Sequence, residues 1–191
     1  MLRRQLVERS GVRDQGSGNG GSRESSAHFL SRGQHPAPPI PRPSSLIPHI
    51  YAMPSFLTRR VAFAAAHRYR RPDWSDERNA EVFGACARES FHGHSYTCDV
   101  VVTGAIDPAT GMIVDLGRLD RVLAAEVRER FDHRNINLDV PEFADGRLIP
   151  TGEELARFIF VRVQSGLGGT ATVVSVTVAE DSSLSATYRG E

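Results

Sequence analysis

His92-Gly93-His94-Ser95-Tyr96-Thr97-Cys98-Asp99-Val100-Val101-Val102-Thr103 alternates with the period of a β-strand: Tyr96, Cys98, Val100 and Val102 fall on one side, Ser95, Thr97, Asp99 and Thr103 on the other. The clear strand signal covers residues 95–104. If the strand starts at or before His92, side chains two apart share a face, and both imidazoles converge on one point. Gly93 between them has no side chain and lets a ligand or a neighbouring backbone approach closely. Imidazole is the commonest metal ligand, and a catalytic zinc takes three protein ligands with one position left open. His67 supplies a third at the end of Val61-Ala62-Phe63-Ala64-Ala65-Ala66, whose small side chains leave space beside it. Alone, His67 would be a structural histidine, and two solvated imidazoles at a polar strand start are the plain alternative for His92 and His94. Together the three point to a zinc enzyme.

Outward from this run the pattern is regular. Residues 56–66 read as a strand, and 68–91 as a polar, irregular loop, too long for a hairpin turn and therefore functional. A turn follows at Asp107-Pro108-Ala109-Thr110-Gly111. Leu116, Leu119, Val122, Leu123, Val127 and Phe131 then recur at helical spacing over about 116–130. A second helix starts at Thr151, with Glu154 three residues on as a capping box. Strands over 173–180 and 184–188, joined by Asp181-Ser182-Ser183, close the chain. The order ββααββ predicts an α+β domain, a four-stranded antiparallel sheet with two helices on one face. Open sheet edges are a liability, so association through them into oligomers is expected.

Composition narrows the class. The chain has 191 residues and a formal net charge of zero, with no electrostatic footprint for nucleic acid. All 23 basic residues are arginine, so Schiff-base and P-loop lysine chemistry are excluded. Two cysteines, Cys86 and Cys98, form no disulfide framework, and no apolar run reaches membrane-spanning length. The expected setting is the cytoplasm. Residues 1–52 stand apart: Gly/Ser-rich, then Pro-rich, with seven arginines and little periodicity. They read as disordered sequence or as an upstream extension ahead of a true start at Met53, leaving 53–191 as the folded domain.

Further candidates carry chemistry. Cys86 lies in the loop six residues before His92. A free cysteine is usually a small buried hydrophobe, but beside a dication its thiol would acidify and serve as base or nucleophile. Cys98 is mid-strand and structural. Asp132-His133 follows the first helix, where a carboxylate can orient an imidazole. Glu180 closes the third strand beside a hairpin, where a carboxylate is exposed unless a ligand uses it.

From Val61 to Glu191 the chain resembles the 6-pyruvoyltetrahydropterin synthase / 6-carboxytetrahydropterin synthase family. The resemblance rests on Phe63-Ala64-Ala65-Ala66-His67, Phe83-Gly84-Ala85-Cys86, His92-Gly93-His94-Ser95-Tyr96, Ile106-Asp107-Pro108-Ala109-Thr110-Gly111-Met112 and Phe131-Asp132-His133-Arg134-Asn135. It continues in Asp139-Val140-Pro141-Glu142-Phe143-Ala144, Pro150-Thr151-Gly152-Glu153 and Tyr188-Arg189-Gly190-Glu191. It implies the tunnelling fold, with three subunits closing a barrel and two rings stacking into a hexamer. It also implies zinc on His67, His92 and His94, and a Cys86–Asp132–His133 relay. Glu180, with Glu153 nearby, would anchor the pterin of 7,8-dihydroneopterin triphosphate. Arg68, Arg70 and Arg71 would meet the triphosphate, or else be solvated surface charges.

Two products occur in that family. Five residues separate Cys86 from His92, a spacing similar to the pyruvoyl branch, whereas the lysine-free, Arg/Ala-rich composition looks bacterial and favours the carboxy product of queuosine and 7-deazaguanine synthesis, released with acetaldehyde. The carboxy product is the expectation taken here, with the pyruvoyl product as its alternative. A non-catalytic zinc-stabilised assembly module or a zinc hydrolase would keep the histidines without requiring Cys86, Asp132 or His133.

Overall fold

A computed structural model describes residues 54–190, so the expectations for 1–52 lie outside the described residues. Two long strands frame the fold, β1 (Phe56–His67) and β2 (His92–Thr103), paired antiparallel along their whole length. The second begins at His92, where the period-two argument required it. β4 (Thr172–Ala179) pairs antiparallel with β2, and β5 (Ser185–Tyr188) with β4.

The predicted four-stranded antiparallel sheet is corrected to a five-stranded mixed one, in which a short extra strand lies outside β1 in the order β1-β2-β4-β5. The added strand β3 (Arg134–Asn135) runs parallel to Ala65 and Ala66 on the β1 edge. It forms because the backbone there is pinned to β1: Ala64 N–H donates to Asp132 Oδ1 at 2.9 Å, and His133 N–H donates to the Ala64 carbonyl at 2.6 Å.

One face of the sheet carries Val61, Phe63 and Ala65 of β1, Tyr96, Cys98, Val100 and Val102 of β2, and Val173, Val176 and Val178 of β4, all buried. The odd spacing between Val173 and Val176 follows from a bulge opposite Val101 and Val102. A bulge inserts one residue and restores the inward direction beyond it. Helices cover this face, while Ala62, Ala64, Ala66, Ser95 and Thr97 point to the opposite, open face.

The first covering helix is α2 (Leu116–Leu123), which runs through a π turn (Ala124–Arg128) into α3 (Glu129–Phe131). Leu119, Leu123, Val127 and Phe131 are all buried at a strict spacing of four. On an α-helix that spacing drifts by roughly 40° per step, and the wider π winding takes up the drift. α5 (Gly152–Leu167) is the second, N-capped by Thr151, whose hydroxyl accepts from Glu154 N–H at 3.2 Å. The reciprocal half of the expected capping box is not made, because Glu154 turns instead to Arg157.

The stretch expected to be a loop contains a helix, α1 (Asp76–Phe83), capped by Ser75, then a 3-10 turn (Gly84–Ala87) that carries Cys86. A short α4 (Ile136–Asp139) follows β3. The two predicted helices are therefore joined by shorter ones. No helix among the described residues is long and apolar enough to cross a membrane.

Phe63 anchors the core, stacked on Tyr96 at 4.8 Å between ring centroids and tilted against Phe131 at 5.5 Å. Phe63→Ala removes a buried ring that bridges strand and helix. It is expected to cost about 3–5 kcal/mol of unfolding free energy, read from the shift of a urea denaturation midpoint.

Candidate functional site

The pairing register builds the site. His67 lies opposite His92 and Ala65 opposite His94, so all three imidazoles occupy the helix-covered face at one end of the β1–β2 pair. Their ligating atoms lie within 4.8 Å of one another. His67 is fully buried, and its Nδ1–H donates to the Pro150 carbonyl at 2.9 Å, which turns Nε2 toward the other rings. That nitrogen is 3.1 Å from His92 Nε2. The Tyr96 hydroxyl lies 3.0 Å from His67 Nδ1 and closes the inner side.

Burial lowers the His67 pKa to about 4, against the Pro150 bond and with help from the neighbouring imidazoles. Burial, then His94, also lowers His92. Rings held neutral keep lone pairs for a cation. His94 Nε2 is buried with no hydrogen-bond partner, and Glu180 Oε2 is 3.7 Å away. Three converging imidazoles, one orphaned nitrogen and one ring oriented by a backbone carbonyl suit a borderline dication such as zinc.

A cavity of about 310 Å³ is lined among others by Tyr69, Phe83, Glu153, Glu180 and Leu184, and it reaches the histidines through Tyr69, edge-on to His67, and Glu180, 3.7 Å from His94. Glu153 arrives from the first turn of α5 and Glu180 from the end of β4, so the two carboxylates expected to bind a ligand share one chamber. Glu180 is only 6% exposed, not an open hairpin residue, because Tyr69 folds over it and donates its hydroxyl to Oε1 at 2.9 Å. Burial, then Glu180, raises the Tyr69 phenol, so it remains a donor.

Cys86 is half-buried beside this chamber, and its carbonyl accepts from Tyr69 N–H at 2.8 Å. Protein groups do not acidify it: burial and then Glu180 push its thiol up. The acidification expected beside a dication would have to come from the dication's own charge. Cys98 is buried, as anticipated, with its thiol pushed up to about 12 by burial.

Asp132 and His133 are not brought to Cys86. His133 Nδ1 sits 3.1 Å from Asp132 Oδ1, but its side chain is 84% exposed, and it lines a shallow depression with Ala64, Ala66, Gly93, His94 and Ser95. The Ala64 N–H, then His133, hold the Asp132 carboxyl below the usual range. His133 takes a left-handed backbone (φ 57°), a conformation in which histidine is enriched.

Arg70 and Arg71 pair with Asp76 and Asp73, and Arg68 lies over the Phe91 ring. Sequence reasoning missed Tyr69, the Pro150 carbonyl and the Phe83 wall. Tyr96 alone carried a signal, sharing the strand parity of His94.

The profile of the 6-pyruvoyl tetrahydropterin synthase family matches residues 56–191. The chain belongs to that family. It is 37% identical over 135 residues to the human 6-pyruvoyl tetrahydrobiopterin synthase, covering 71% of this chain and 91% of the relative. A Drosophila melanogaster protein of the same name is 37% identical over 136 residues, covering 71% and 80%. Among solved structures, the Caenorhabditis elegans 6-pyruvoyl tetrahydropterin synthase superposes with a TM-score of 0.68 at 32% identity, covering 73% of this chain and 97% of that one. The fold of this family is thereby established for the described domain.

Two outcomes follow from the geometry. His94→Ala deletes one of the three converging ring nitrogens and is expected to weaken zinc binding beyond the 10–100-fold typical of losing an outer partner, measured by chelator competition. In chelator-treated protein, iodoacetamide is expected to label Cys86 more slowly than a free thiol. Glu180→Gln removes a nearby negative charge, lowers the thiol pKa and raises that rate.

Proposed function

We propose that the chain is a zinc-dependent lyase that acts on 7,8-dihydroneopterin triphosphate, eliminating triphosphate to give the 6-pyruvoyl product. The observation that carries this reading is the meeting of three converging imidazoles with a chamber walled by Glu153 and the buried Glu180, Glu180 lying 3.7 Å from His94 and the Cys86 thiol close by. Carboxylates accept from paired N–H donors, so Glu180 suits the amidine edge of a pterin, with Glu153 on the same wall. Fixing the ring there would bring its side chain toward the histidines and Cys86. His67, His92 and His94 would hold the zinc, which when bound supplies Lewis acidity toward oxygens of the substrate side chain. Cys86 would take a proton from that side chain, and His133, oriented by Asp132, would return one elsewhere.

Within a single chain no contact joins Cys86 to Asp132 or His133 among the described residues. The relay reading therefore requires a neighbouring subunit to present the pair. The two edges of the sheet, β3 and β5, are where copies would join, as in the expected barrel of three subunits and hexamer of two rings.

The names of the human and fly relatives support the pyruvoyl product over the carboxy product expected from composition. The five residues between Cys86 and His92 favour it too. Amino-acid usage reflects the genome as much as the site, so it weighs less. Incubation with dihydroneopterin triphosphate and zinc, with products identified by mass, is expected to yield 6-pyruvoyltetrahydropterin and triphosphate. Release of acetaldehyde with 6-carboxytetrahydropterin would reinstate the queuosine-pathway reading, and ester hydrolysis without any pterin would point to a zinc hydrolase.

A further inference from the structure

Tyr69 touches three parts of the site. Its N–H donates to the carbonyl of Cys86, its ring stands edge-on to His67 at 5.0 Å between centroids, and its hydroxyl donates to Glu180 Oε1 at 2.9 Å. Phe83 packs against the ring from the outside at 6.0 Å, which leaves the phenol little freedom. Tyr69 also forms part of the wall of the ligand chamber.

Glu180 stands between two destinies. Its Oε2 is 3.7 Å from His94 Nε2, close to the separation of two ligand atoms on one tetrahedral ion. A carboxylate is itself a competent zinc ligand. A modest side-chain rotation would carry Glu180 from the chamber to the metal, filling the position that a substrate oxygen needs. Such a rotation, bringing Oε2 to the metal, would pull the carboxylate against the bond that Tyr69 makes to Oε1. That bond is charge-assisted, the stronger class of hydrogen bond, and its acceptor Glu180 is buried.

We infer that Tyr69 is a positioning residue that holds Glu180 in the chamber as the acceptor for a pterin edge and keeps it off the metal. Tyr69 donates along only one lone pair of Oε1. The other lone pairs of the carboxylate stay available to a planar ligand with two adjacent N–H donors. The inference rests on the proposed pterin and zinc reading, and deepens it by naming what keeps anchor and metal apart.

The test uses the full chain, neopterin as the pterin probe and Co2+ as the spectroscopic metal. Tyr69→Phe deletes the hydroxyl and leaves the ring against His67 and Phe83. It is expected to weaken neopterin binding, followed by fluorescence quenching, by tenfold or more, and to alter the visible absorption of the Co2+-loaded protein as Glu180 joins the metal. In Tyr69→Phe/Glu180→Gln the wild-type absorption should return, because a glutamine does not compete for the ion. If Tyr69 acts only through Glu180, adding Tyr69→Phe to Glu180→Gln should change neopterin affinity no further. A Tyr69→Phe protein with wild-type affinity and absorption overturns the role of Tyr69 alone. Additive losses in the double variant overturn it too, since the tyrosine would then act by another route. A wild-type protein that takes up neither Co2+ nor neopterin overturns the underlying reading as well. Thermal unfolding of each variant separates these results from a general loss of folding: the absorption change and its reversal by Glu180→Gln do not arise from destabilisation.

Discussion

The twelve-residue antiparallel pairing of β1 and β2 is the constraint on which the rest depends. It sets His67 directly across from His92 and Ala65 across from His94. Because side chains alternate between faces, a slip of one residue would send one strand's histidine to the open face and leave the other strand's behind. What prevents the slip is the core itself: Phe63, Tyr96, Cys98 and Val100 are buried on the same face, and turning any of these strands over would expose them. The ring stack of Phe63 on Tyr96 lies just inward of the imidazoles, so the packing that stabilises the domain also aligns the ligands.

Electrostatics at the site follow from this placement. The sheet end lies under α5 and the segment leading into it, so His67 is dry and its proton is directed to the Pro150 carbonyl. A dry imidazole resists protonation, which suits His67 to a cation, and His94 Nε2 has no hydrogen-bond partner. Glu180 is the one buried carboxylate among the described residues, and it is kept in place by a phenol rather than by an arginine. A neutral donor leaves the carboxylate's charge free to act on a ligand, where an ion pair would have cancelled it.

What could be read in the sequence was what repeats or caps. The two-residue alternation of 95–104, the four-residue stripe from Leu119 to Phe131 and the Thr151 cap all appear where expected, because each expresses a local rule that the fold obeys. The parity of His92 and His94, and with it the histidine cluster, was legible for the same reason. β3 was not: two residues carry no period, and the strand exists through contacts with Ala64, some seventy positions earlier in the chain. α1 was hidden by its composition, since among its own residues only Asn79 is buried, although Ser75-Asp76-Glu77 carries a helix-start signature. Tyr69 had no local signal at all. Its importance lies in reaching Glu180, a partner that only the folded chain brings within range. The separation of Cys86 from His133 was equally invisible, as proximity in a motif list says nothing about which face of a sheet a residue meets.

The π turn at 124–128 has a consequence beyond straightening an apolar stripe. Such a winding behaves as one residue more than a regular helix would hold, and everything after it is rotated by roughly 100° relative to an uninterrupted α-helix. Phe131 and Asp132 lie just downstream, and it is in this rotated frame that Asp132 meets the Ala64 amide and His133 turns outward. Deleting a single amino acid there would regularise the helix and yet throw the acid–imidazole pair out of phase with the sheet. The apparent irregularity works as a phase-setting spacer, and a chain idealised by removing it would be tidier and mis-timed.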